Sequence, residues 1–128
     1  RHFPQKKFDF YDEDGNMYAC HEKLVKFLTP GETPKRGDET PLGVRTFRKI
    51  GPALLIDSMV TIFNSIKKYG PELALDRVIR SNIMPSLEGL ERNEIRCMFL
   101  HAKEVLGPTS IVTETLDRMA NSDSLSLF

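Results

Sequence analysis

The chain has 128 residues, enough for one domain around one core, and it sets 18 Lys+Arg against 18 Asp+Glu. That zero net charge removes the general electrostatic drive toward nucleic acid or an acidic membrane and leaves only local patches to bind phosphate. With 40% hydrophobic and 28% charged residues the composition is too apolar for disorder, and it contains no run of 18 apolar residues that would span a membrane.

Residues 1–19 are expected to form an N-terminal segment containing a short β-hairpin. Phe8 and Phe10 alternate, Asp12–Asn16 (DEDGN) supplies turn residues, and Met17 and Tyr18 follow. Phe8 or Phe10 is expected to pack onto the helices. The turn begins like an EF-hand calcium loop, but Met17 stands where that loop needs glycine and Lys23 where it needs a bidentate Glu. From His21 the spacing changes. Leu24, Val25, Phe27 and Leu28 recur at helical intervals until Thr29-Pro30, which predicts a first helix over about 20–28.

An exposed loop is expected at 29–42, where Pro30, Pro34 and Pro41 prevent regular helix and Gly31 and Gly37 permit reversals. Thr33-Pro34-Lys35-Arg36 resembles the site preferred by proline-directed, cell-cycle kinases, and Thr29-Pro30 and Thr40-Pro41 satisfy its minimal form. Thr29, Thr33 and Thr40 are therefore candidate phosphosites. A phosphate would add about −1.5 to −2 charge beside Lys35 and Arg36 and is expected to pair with Arg45 or Arg48. The plain alternative is a proline-stiffened connector. Cys20 and Cys97, far apart in the chain, read as reduced thiols of an intracellular protein, and the kinase-like site favours the nucleus over the cytoplasm. A first residue that is Arg, not Met, predicts a domain cut from a longer protein.

Val44, Phe47 and Ile50 lie three apart, as on a short helix. Pro52 then opens a helix over 52–69 that carries Leu54, Leu55, Ile56, Met59, Val60, Ile62, Phe63 and Ile66, an apolar surface too wide for a helix with one face in water. It is read as the core helix or as half of a dimer seam. Met59, Ile62, Phe63 and Ile66 are the candidate self-association residues, joined by Leu125, Leu127 and Phe128 of a tail at 121–128. Truncating Phe63 is expected to unfold the domain or to leave a folded monomer.

A further helix starts at Pro71 and is expected to break at Pro85. Another covers about 91–106, and the last starts from a Thr109 or Ser110 cap. The fold expected over 20–120 is a single, mainly α, compact multi-helix domain, either an orthogonal bundle or HEAT-like. Residues 78–107 resemble one HEAT-type unit in layout, with a proline-broken helix, a short acidic turn and an Arg-containing second helix; no second copy occurs at the required spacing.

Catalytic chemistry finds little footing. His2, His21 and His101 are scattered, and Cys20 and His21, being adjacent, point in different directions on a helix. Cys97 and His101 share a helix face, but a thiol among Ile95, Met98 and Phe99 reads as inert. No enzyme activity, metal or cofactor is expected. Arg45, Arg48 and Lys49 form a small basic group for phosphates or an acidic partner. The expected function is a non-enzymatic protein–protein interaction domain of a larger scaffold or regulatory protein, with a homodimer as its simplest form. The alternative is a nucleic-acid-associated helical domain using the basic group.

Overall fold

The computed structural model describes residues 15–29 and 40–121, and among these it contains five α-helices and no strand. Helix α1 spans Asn16–Leu28 and starts from Gly15, whose φ of 75° is a left-handed conformation that glycine adopts without strain. Gly15 and Asn16, the described end of DEDGN, thus open a helix. Met17 and Tyr18, expected on the second strand of a hairpin, lie in α1, and the physical reason is a stripe: Met17, Cys20, Leu24, Phe27 and Leu28 are all buried at helical spacing. Phe8 and Phe10 lie outside the described residues. At the C-terminal end Thr29 turns to extended backbone, as a residue before proline must, and its N–H and hydroxyl both donate to the Val25 carbonyl at 2.9 and 2.6 Å.

The short helix expected after the Thr-Pro segment is a single 3₁₀ turn, Val44–Thr46. It is held by Leu42, whose N–H donates to the Cys97 carbonyl at 3.1 Å, and by the buried Val44. Helix α2, Pro52–Tyr69, has Pro as its first residue and ends at Gly70, φ 84°. Lys67 and Lys68 sit in its last turn, where they complement the helix dipole.

Helix α3, Pro71–Val78, continues into a π turn, Ile79–Ile83, and a 3₁₀ turn, Met84–Leu87. The expected break at Pro85 becomes a widening. In α geometry the proline ring would meet the carbonyl four residues back and leave it without a donor. Here the Met84 N–H reaches five residues back to Ile79, and the chain passes through the proline with Leu75, Val78, Ile79, Ile83, Met84 and Leu87 all buried.

Helix α4, Arg92–Val105, opens with a reciprocal capping box in which the Glu91 N–H donates to the Glu94 carboxylate at 2.9 Å. Helix α5, Ile111–Ala120, is capped by Ser110, whose hydroxyl accepts the Val112 N–H at 3.1 Å. The main pairings are α2 with α3 and α4 with α5, while α1 touches α2, α3 and α4. Its Leu24, Phe27 and Leu28 are fully buried where these helices meet, each contributing about 1.5–3 kcal/mol of burial. Among the described residues no helix is long and apolar enough to cross a membrane.

Candidate functional site

Helix α2 carries two adjoining apolar stripes, one facing the core and one facing outward. Met59 and Ile62 are 2% and 0% exposed, and Ile66 and Leu55 pack beside them against the core. Outward, Ile56 is half-buried while Val60 and Phe63 are 41% and 37% exposed, at the i, i+4, i+7 spacing of one helix face. Met59 and Ile62 therefore correct the expected partner set: they are buried in the domain's own core. Of the four α2 residues expected to meet a partner, Phe63 is the one on the surface. Ile56 and Val60 take the place of the buried pair, with Asp57 exposed beside them and Lys67 and Lys68 exposed at the C-terminal end. Leu125, Leu127 and Phe128 lie outside the described residues.

The three basic residues after the Thr-Pro segment do not share one helix face. Arg45 lies in the 3₁₀ turn and Lys49 beyond it, both exposed. Arg48 is a clamp: its Nε donates to the Ser86 carbonyl at 2.7 Å, Nη1 to Phe47 at 3.1 Å and Nη2 to Glu88 at 3.1 Å. Its guanidinium ties the chain after the 3₁₀ turn to the turn before α4.

The ends of the Thr-Pro segment meet. A Cβ on Gly43 would fall on the Thr29 carbonyl oxygen and come within 2.5 Å of its carbon and 2.9 Å of the Leu28 carbonyl carbon. Thr29 gives its hydroxyl hydrogen to Val25, and Thr40 is half-buried. Thr33 lies outside the described residues.

The cysteines and the histidine of α4 serve packing and capping. Cys20 is buried with its Sγ 3.5 Å from the Pro71 carbonyl, and Cys97 is half-buried. His101 stacks on Phe27 with ring centroids 6.4 Å apart, and its Nε2 lies 2.6 Å from the Lys26 carbonyl. A carbonyl only accepts, so Nε2 carries the hydrogen and closes one of the last carbonyls of α1. Among the described residues no group of three His, Cys, Asp or Glu side chains could hold a metal ion.

A cleft of about 470 Å³ lies where α1, the α2–α3 junction and the start of α5 converge, lined by Lys23, Tyr69, Glu72, Asp76, Leu106 and Ser110 among others. Asp76 is the one buried carboxylate among the described residues. It accepts the Ser110 hydroxyl at 2.9 Å and the Ile111 N–H at 3.1 Å, so a side chain of α3 completes the cap of α5. Burial pushes its carboxyl above the ordinary value of 3.8; the two hydrogen bonds oppose this, Glu72 adds to it and Arg80 lowers it.

A raised folded value means that the native protein holds more protons than the unfolded chain between 3.8 and that higher value. The ionised carboxylate therefore costs stability above this window, and the cost disappears as pH falls through it. Asp76→Asn keeps an acceptor for Ile111 and a donor for the Ser110 oxygen. Its stability relative to the parent is expected to fall as urea titrations move from pH 7 toward 3.8, whereas Asp76→Ala costs about 1–3 kcal/mol by stranding both donors. A parent protein that loses ground to Asp76→Asn on acidification would reverse the assigned sign.

Compared with known proteins, the chain matches no family model, no curated protein and no solved structure.

Proposed function

We propose that this is a non-enzymatic protein-interaction domain of a larger scaffold or regulatory protein, and that it holds a second copy of itself through the outer stripe of α2. The observation that carries the reading is Val60, 41% exposed in line with Ile56 and Phe63 on a helix whose adjoining stripe already fills the core. Charge favours a second copy lying antiparallel. Asp57 belongs to the first half of α2 and Lys67 and Lys68 to its end, so an antiparallel pair centred on Val60 leaves Asp57 about 6 Å along the axis from Lys67 of the other copy, within the reach of a lysine side chain, whereas a parallel pair opposes like charges. Val60 at the centre then meets its own counterpart. From Ile56 to Phe63 the stripe spans about 10 Å, a small interface, and association is expected in the micromolar range or weaker. The Thr33-Pro34-Lys35-Arg36 sequence supports proline-directed phosphorylation of a nuclear protein as a control on such an interaction.

Sedimentation equilibrium from micromolar to millimolar concentration tests this. The parent is expected to form dimers, and Val60→Glu, which places a carboxylate against its own counterpart, should weaken them at least tenfold with unchanged helicity. A parent that stays monomeric throughout, or dimers unaffected by Val60→Glu, would overturn the assignment.

A further inference from the structure

A second groove, of about 410 Å³, opens between α2 and the α3–π segment and is lined by Thr61, Ser65, Tyr69, Arg77, Arg80 and Ser81, together with Val78. In a chain with equal numbers of acidic and basic residues, none of these is a carboxylate. Arg77 and Arg80 are three apart and share a helix side. The Arg77 guanidinium lies over the Tyr69 ring, 4.4 Å from its centroid, and the Lys68 ammonium is 5.4 Å from the same ring. A guanidinium held over a ring keeps N–H groups directed away from it and available for an anion. The acidic group closest in sequence to Arg80 on that helix, Asp76, feels the Arg80 charge, while its hydrogen bonds go to Ser110 and Ile111.

The hydroxyls narrow the ligand. Thr61 donates to the Asp57 carbonyl at 2.9 Å, Ser65 to Thr61 at 2.7 Å and Ser81 to Arg77 at 2.9 Å. Their hydrogens are spent within their own helices and their oxygens remain as acceptors. A matching ligand brings an anion for the guanidiniums and N–H donors for these oxygens. A phosphorylated peptide brings both along one backbone, whereas a nucleic acid carries its N–H donors on the bases, away from the phosphates.

We propose that this groove binds a phosphorylated Thr-Pro peptide, with Arg77 and Arg80 on the phosphate and the Thr61 and Ser65 oxygens accepting peptide N–H groups. The groove lies on a different side of α2 from the Val60 stripe, so the inference does not rest on self-association. The probe is a fluorescent peptide of residues 27–42 of this chain, phosphorylated at Thr33, compared with the unphosphorylated peptide and with a single-stranded RNA of similar length, by anisotropy. The phosphorylated peptide is expected to bind at least tenfold more tightly than either, and inorganic phosphate should compete at millimolar concentration. Arg77→Gln and Arg80→Gln should each lower its affinity at least tenfold with unchanged thermal unfolding. Arg77→Lys, which keeps the charge but not the two-pronged geometry, should fall between. Equal binding of the two peptides, RNA binding as tight as the phosphopeptide, or affinity indifferent to Arg77→Gln and Arg80→Gln would each overturn the proposal.

Discussion

Phe27→Ala is expected to cost about 3–5 kcal/mol of unfolding free energy, a large part of the roughly 5–15 kcal/mol that holds a domain of this kind together. Phe27 is fully buried, heads the largest buried side chains, and stacks on His101 of α4 from the last turn of α1. Truncation leaves a cavity between two helices and removes the ring that positions His101 on the Lys26 carbonyl. Phe63→Ala is the matched control. At 37% exposure, Phe63 keeps part of its burial and is expected to cost about 1–2 kcal/mol, in place of the unfolding that its mid-helix position suggests from sequence alone. Urea titrations of the two variants should separate clearly. Equal losses would mean that the core does not lie where α1 meets α4.

Gly43→Ala carries the second large effect, about 3 kcal/mol or more, through a different cause. Gly43 has φ −77° and ψ 169°, which any residue adopts, so its requirement for glycine is purely steric. The atoms that a methyl group would meet are backbone, and the Thr29 backbone is held by its own bond to Val25. Relief therefore requires moving either the end of α1 or the strand of chain that carries Leu42 and Val44 into the core. Gly51→Ala is the contrast: φ is −82° and no atom lies within 4 Å of the added methyl, so a loss below about 1 kcal/mol is expected. Hydrogen exchange at the Leu42 amide, bonded to Cys97, should accelerate in Gly43→Ala and not in Gly51→Ala. Similar stability of the two variants would rule out the close approach.

These contrasts mark what a sequence makes legible. The punctuation of the helices is local chemistry, so Pro52, Gly70-Pro71 and a cap at Thr109 or Ser110 could be placed from residue types alone, the structure choosing Ser110. The inward side of α2 could not, because both of its stripes are apolar. What distinguishes them is Ser58, buried because Asn82 of the π turn donates to its hydroxyl at 3.1 Å, a pairing between residues remote in sequence. The same holds for Arg48, whose role depends on the carbonyls of Ser86 and Glu88, and for Asp76, whose role depends on the start of α5. Residues 17–18 are ambiguous for another reason. Asp-Glu-Asp-Gly-Asn suits a hairpin turn and a helix entry equally, and only extending the helical stripe back from Cys20 to Met17 separates them.

The central claim, that the outer stripe of α2 meets a second copy of itself, is tested most directly by isotope-filtered NOE spectroscopy on an equal mixture of ¹³C-labelled and unlabelled protein. At concentrations where sedimentation shows dimer, intermolecular NOEs are expected from the Val60 methyls to Val60 and to Phe63 or Ile56 of the other copy. NOEs should also run from Ile56 of one copy to Phe63 of the other, as an antiparallel pair centred on Val60 requires. A dimer whose intermolecular NOEs arise elsewhere, with none at Val60, would contradict the account.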